Sequence, residues 1–212
     1  MSEQTDGAGQ HVLHRWMFTA AIILSLTTLL SAWTGYEATR WGTVYSSATR
    51  ASTVARVDSV TASDVANRQL TTDILLFSDW FQAEVEGNTR VADEIRAHFR
   101  QEFVPVFEAW LGTAAEGGLP AGTPFDSDYE LAADVEADRF REVATEASLE
   151  ADRAGQTQDN YVLAALLHAS VLFLAGISSK ISGRRAQRLT VVLSGVAFVV
   201  AAFFTFSLPV LL

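Results

Sequence analysis

Cysteine is absent from this 212-residue chain, which excludes a disulfide framework, a thiolate metal site and a cysteine nucleophile. Any domain outside the cytoplasm must therefore rest on packing alone. Lysine occurs once, at Lys180, against fourteen arginines, and Ala, Thr, Val and Asp are abundant. That balance points to a bacterial source that is GC-rich or salt-adapted. Proline and glycine are scarce where they would interrupt helices: from Glu37 to Glu86 there is no proline and one glycine, Gly42. The catalytic signatures are missing as well. There is no nucleophile elbow, phosphate loop, His-Glu zinc motif or dinucleotide fingerprint. The chain reads as a non-enzyme without a cofactor.

Charge is missing from three long runs, Trp16–Tyr36, Tyr161–Ser179 and Leu189–Leu212. Runs of ~20 apolar residues at ~1.5 Å rise per residue match the ~30 Å hydrocarbon core of a bilayer. Trp16 at one end of the first run, and Trp33, Tyr36 and Trp41 at the other, have the character of interfacial belts. The exit Ser31-Ala32-Trp33-Thr34-Gly35-Tyr36 is a poor cleavage site, so the first run is expected to be a retained anchor.

The charges between the runs are sorted by sign. Residues Lys180–Arg188 carry Lys180, Arg184, Arg185 and Arg188 and no acid, whereas Glu37–Asn160 carries 23 acids against 10 arginines. A short basic loop belongs on the cytoplasmic side. The expected organisation is a cytoplasmic tail over 1–15, span 1 over 16–36, an acidic extracytoplasmic domain over 37–160, span 2 over 161–179, a basic cytoplasmic loop over 180–188 and span 3 over 189–212. The N-terminus is then cytoplasmic and the C-terminus outside, in a bacterial plasma (inner) membrane. An acidic domain of this kind excludes nucleic acid as a partner and disfavours lying flat on anionic lipid.

The fold class expected is an all-α integral membrane protein: three transmembrane helices plus an extended antiparallel, coiled-coil-like extracytoplasmic domain. Small apolar residues recur with heptad spacing at Trp41, Val44, Ala48, Ala51, Ala55, Ala62, Val65 and Ala66. The same habit returns at Ala133, Ala137, Phe140, Ala144, Ala147, Ala151 and Ala154. Such stripes make close helix pairs, and one leaves span 1 while the other enters span 2. Beyond them, Leu70, Ile74, Phe77, Phe81 and Val85, with Trp80 at the edge, form one larger stripe. Val91, Ile95, Phe99, Phe103, Val106 and Trp110 form another across Gly87-Asn88. A hairpin with an aromatic core follows, its second helix kinked near Gln101 by Pro105. The competing reading has Phe99, Phe103, Phe107 and Trp110 dipping into lipid; Glu94, Glu102 and Glu108 disfavour it. A loop over Gly112–Phe125 then leads to a capping box at Ser127–Glu130.

Candidate sites are few. His168 is the ionisable residue set in the middle of a span, a position usually functional. The structural alternative is a neutral imidazole hydrogen-bonded to Thr27, Ser170 or Ser194, and it is favoured because no chain of polar groups accompanies the histidine. Trp33, Glu37, Arg40 and Trp41 mark the outer boundary, either as a headgroup or partner site or as an i,i+3 ion pair among interfacial tryptophans. Glu94, His98 and Glu102 stand at i, i+4 and i+8, but span ~12 Å, so a solvated charged face is expected instead of a metal site. Asp126, Asp128 and Glu130 resemble the start of a calcium loop without its other ligands or glycine, and read as first-turn acids.

Trp33-Thr-Gly-Tyr36-Glu-Ala-Thr-Arg40-Trp41, Phe99-Arg-Gln-Glu-Phe103-Val-Pro105 leading to Ala109-Trp110-Leu111, and Asp159-Asn160-Tyr161-Val-Leu together resemble a group of uncharacterised bacterial membrane proteins. These share three predicted spans and a long helical insert after the first. The resemblance implies architecture and membrane location, and carries no catalytic residue over. The expected partners are the lipid bilayer and either further copies of this chain, as a homo-oligomer, or another envelope protein. A subunit of an oligomeric channel or transporter is the alternative, and a sensor input module a weaker one.

Overall fold

The computed structural model describes residues 6–114, 118–126, 129–178, 180–181 and 183–211, with side chains from 18 onward, Arg184 apart. The described chain is helical, without a strand. Its helices are α1 (Asp6–Val85), α2 (Thr89–Arg96), α3 (Val104–Leu111), α4 (Ala132–Ser178) and α5 (Arg184–Phe206), with a 3-10 turn at Pro124–Asp126. Stretches of α1, α4 and α5 are long and apolar enough to cross a membrane. The helices form two compact units, residues 1–50 with 148–212 and residues 51–147.

In the first unit the usual sorting of side chains is inverted. The residues turned inward are small or polar: Ala20, Thr27, Thr34, Ala164, His168, Ala175, Val191, Ser194, Ala201 and Thr205 are buried. Outward stand Phe18, Leu29, Leu166, Phe173, Leu189, Val199, Phe203 and Phe206, between 61% and 78% exposed. Water would penalise such a surface heavily, at ~25 cal/mol per Å² of apolar area. Lipid does not, and helices in lipid associate through close contacts of small residues. This inversion supports a multi-pass membrane protein. The third apolar helix begins at Arg184, so Arg184, Arg185 and Arg188 occupy its first turns. It ends at Phe206, ahead of Pro209, and the chain continues to Leu211 without regular structure.

In the second unit α1 and α4 lie close enough for Ser52 Oγ to donate to Ala144 O and Ser59 Oγ to Ala137 O, both at 2.9 Å. Facing positions descend on one helix as they rise on the other, so the pair is antiparallel. The α4 stripe is seated as its spacing predicts: Ala137 and Ala144 are buried and Ala133, Phe140 and Ala147 half-buried here, and Ala151 and Ala154 are buried in the first unit. On α1 the register differs. Ala48, Ala55 and Ala66 are buried, but Ala51 and Val65 are exposed, and Ser52 and Ser59 take the inward places. A hydroxyl that can reach a facing carbonyl fits this seam better than another methyl group.

That seam continues through Asp73 to the aromatic end of the unit. Phe77 and Trp80 are buried, whereas Ile74, Phe81 and Val85, which the hydrophobic stripe places inward, are 44%, 37% and 66% exposed. The face set by the small residues prevails over the larger stripe. At Gly87 (φ +72°), Gly87 N donates to Glu84 O and Asn88 N to Ala83 O, a Schellman stop that turns the chain into α2. The expected single kinked helix after that turn is two short ones. Pro105 lies in the first turn of α3, where its missing N–H costs nothing, so it starts a helix instead of bending one. Phe99, Phe103, Phe107 and Trp110 are all buried, against Phe77 and Trp80. Trp80 and Phe107 meet edge to face at 4.7 Å between ring centroids. None of the four is free to dip into lipid.

Candidate functional site

Glu37 is fully buried, although it is a carboxylate at the end of an apolar run. Arg40 Nη1 lies 3.5 Å from Glu37 Oε1, one turn along α1. The expected i,i+3 pair therefore exists, but its main partner is the segment after α5. Leu211 N donates to Glu37 Oε2 at 3.3 Å, and Arg40 Nη1 donates to Leu211 O. Trp41 Nε1 and the Tyr161 hydroxyl both donate to Pro209 O, at 3.2 and 3.1 Å. Backbone groups that leave a helix near an apolar boundary must find partners within the protein. Four side chains from α1 and α4 supply them. Trp33 does not join: it is 42% exposed and stands 6.0 Å from the Tyr36 ring. Trp16 lies outside the described side chains.

His168 is fully buried on α4. Its Nδ1 is 2.7 Å from Ala164 O, a group that only accepts, so Nδ1 carries the hydrogen. Its Nε2 is buried without a hydrogen-bond partner, and so is Glu37 Oε1. The expected hydroxyl partners are otherwise engaged. Thr27 donates to Ile23 O at 2.6 Å, Ser194 to Val191 O at 2.9 Å, and the exposed Ser170 to Leu166 O at 3.0 Å. Each hydroxyl is satisfied by its own helix, as serine and threonine in apolar helices commonly are.

The structure buries further polar side chains on the same helices as His168. Thr27, Thr34, Ser178, Ser194 and Thr205 are all buried with it, on the three apolar helices. Their signal is the seven-residue interval, from Ala20 to Thr27 to Thr34 and from Tyr161 to His168 to Ala175, which keeps each set on one helix face.

The second unit holds a buried network that sequence reading does not find. Asp73, fully buried, accepts from Arg100 Nε and Nη2 at 3.1 Å and from the Tyr129 hydroxyl at 2.5 Å. Arg100 Nη2 also donates to the Tyr129 oxygen at 3.0 Å, and Nη1 reaches Glu102 at 2.9 Å. Burial pushes the Tyr129 phenol up to about 12, helped by its bond to Asp73 and opposed by Arg100. Burial works against the Arg100 charge, but the bonds to Asp73 and Tyr129 outweigh it and raise its pKa. Residues 73, 100 and 129 are too far apart in sequence for a motif to connect them.

The remaining candidates disperse. α2 ends at Arg96, so Glu94, His98 and Glu102 do not share a helix face. His98 Nδ1 bonds the Glu94 carbonyl at 2.8 Å, and Glu102 pairs with Arg100. Asp126 Oδ2 accepts from Thr123 N at 2.7 Å, closing a turn, while Ser127 and Asp128 lie outside the described residues. Among the described residues no three His, Asp or Glu side chains gather as a metal cluster would.

No family model, curated protein or solved structure matches this chain.

Proposed function

We propose that the protein is a non-enzymatic, self-associating interaction or scaffold module of a bacterial plasma membrane. Three spans anchor it, and residues 37–160 act outside the cytoplasm as an acidic, coiled-coil-like helical domain. The observation that carries this reading is a row of valines on the side of α1 away from its seam. Val54, Val57 and Val60 are 59–62% exposed at successive helical turns, outside the apolar runs. Contiguous apolar surface in an aqueous compartment marks a place for a partner. A second copy of the same helix pair would cover it with matching side chains.

The test is the mass of the purified full chain in mild detergent, with Val54, Val57 and Val60 replaced by serine as the comparison. Self-association should give a dimer or larger assembly that the triple variant loses. A monomer at the highest accessible concentration contradicts the reading. One observation favours the alternative, a channel or transporter subunit: the buried polar seam around His168 and Glu37. A closed ring of defined mass, together with ion or proton flux in liposomes that His168→Ala abolishes, would replace the scaffold with a pore.

A further inference from the structure

Two buried polar atoms in the first unit lack a hydrogen-bond partner: His168 Nε2, and Glu37 Oε1, which has only the ion pair with Arg40 at 3.5 Å. Their relation follows from the register of the three apolar helices. Glu37 accepts from Leu211 N and Tyr161 donates to Pro209 O, so positions 37, 161 and 209–211 share a level. A Cβ placed on Gly195 would sit 3.8 Å from Ile23 Cδ1, which keeps α1 and α5 in the same offset about four turns further in. His168 is seven residues along α4 from Tyr161, ~10 Å. Between those levels the inward faces carry Thr34 on α1 and Thr205 on α5, both buried, with Thr27 just beyond.

Protein donors cannot satisfy His168 Nε2. Thr27, Thr34 and Thr205 spend their hydrogens on Ile23 O, Ser31 O and Ala201 O, at 2.6, 2.9 and 2.9 Å. A buried unsatisfied group costs ~1–3 kcal/mol, and in lipid no bulk solvent relieves it. The hydroxyl oxygens, having donated, keep lone pairs that accept. A molecule with two hydrogens to give meets both requirements.

We propose that a short file of water occupies the seam between the three spans, from Glu37 Oε1 past Thr34 and Thr205 to His168 Nε2. Each water donates to one acceptor and to the next oxygen along the file, in a site with the several polar partners that a buried water needs. Glu37 opens the file at the boundary beside Arg40, the half-buried member of that pair. The inference rests on the membrane-spanning reading and is independent of whether the protein is a scaffold or a pore.

The full chain in lipid nanodiscs, with its four histidines labelled with nitrogen-15, provides the test. The His168 ring signal is assigned by its loss in His168→Gln. A cross-peak between that ring and water is expected. Thr34→Val with Thr205→Val keeps the shape of the seam and removes the oxygens, and should cut the cross-peak at least roughly in half at unchanged helicity. Thr205→Val alone serves if the pair lowers helicity. No cross-peak in the parent protein overturns the proposal. A cross-peak undiminished in the helical variant overturns the route from Glu37.

Discussion

Asp73 shows how one side chain can set the stability of a domain. It is fully buried and its oxygens take hydrogen bonds from Arg100 and Tyr129. Removing one partner of a buried pair leaves the other desolvated and uncompensated, at a cost of ~3 kcal/mol. Asp73→Ala should therefore lower the midpoint of the transition followed by Trp80 and Trp110 fluorescence in the full chain, and Asp73→Asn should recover part of it. An unchanged midpoint would mean that the network is idle. Tyr129 adds a pH dependence. Its phenol is pushed up from 10.0 to about 12, so the folded state holds the proton more tightly than the unfolded chain. That contribution is fully present below pH 10 and is lost as pH rises through 12. Melting in the second unit should weaken over that window in the parent protein and less so in Tyr129→Phe.

At the scale of elements, the seam between α1 and α4 is closed mainly by alanine and serine. Ser59→Ala removes one hydrogen bond to Ala137 O and should cost ~1 kcal/mol. Ser59→Leu must also force the helices apart, and overpacking adds ~1–3 kcal/mol. Thermal melts of the two variants should rank in that order; equal effects would mean that the helices are not closely packed there. The α4 half of this seam was legible in sequence, because its alanines alternate steps of four and three with few competitors. The α1 half was legible only in part. A periodicity built on apolar residues skips serine, so it favours Ala51 and Val65 over Ser52 and Ser59. Further along, the hydrophobic stripe places Phe77 inside correctly and Trp80 only at its edge, while the size of Ile74, Phe81 and Val85 hides that the register turns them outward. The Asp73–Arg100–Tyr129 network and the Pro209–Leu211 contacts depend on tertiary placement, which periodicity does not encode. His168 was legible as a residue but not as a site. The other buried hydroxyls are scattered singly over three helices, and their burial depends on how those helices pack.

For the whole molecule, the proposed topology rests on the arrangement of charge. Insertion responds to lysine and arginine in short loops near the span ends and little to acids. Lys180, Arg184, Arg185 and Arg188 lie within nine residues of one another between the second and third apolar runs, whereas the arginines of residues 37–160 are spread over a long domain. The proposed topology therefore makes a two-part prediction. Reporter fusions at Gly118 and Gly183 should lie on opposite sides, with Gly183 cytoplasmic. Neutralising all four basic residues by glutamine should make the fusions report mixed or reversed sides, while the same change at Arg139, Arg141 and Arg153 should leave them alone. Both sets alter several charges, so a difference between them isolates position from number. Fusions that report the same side, or a Gly183 fusion outside the cytoplasm in the parent protein, would overturn the topology. The acidic helical domain would then face the cytoplasm, and its partner would be sought there.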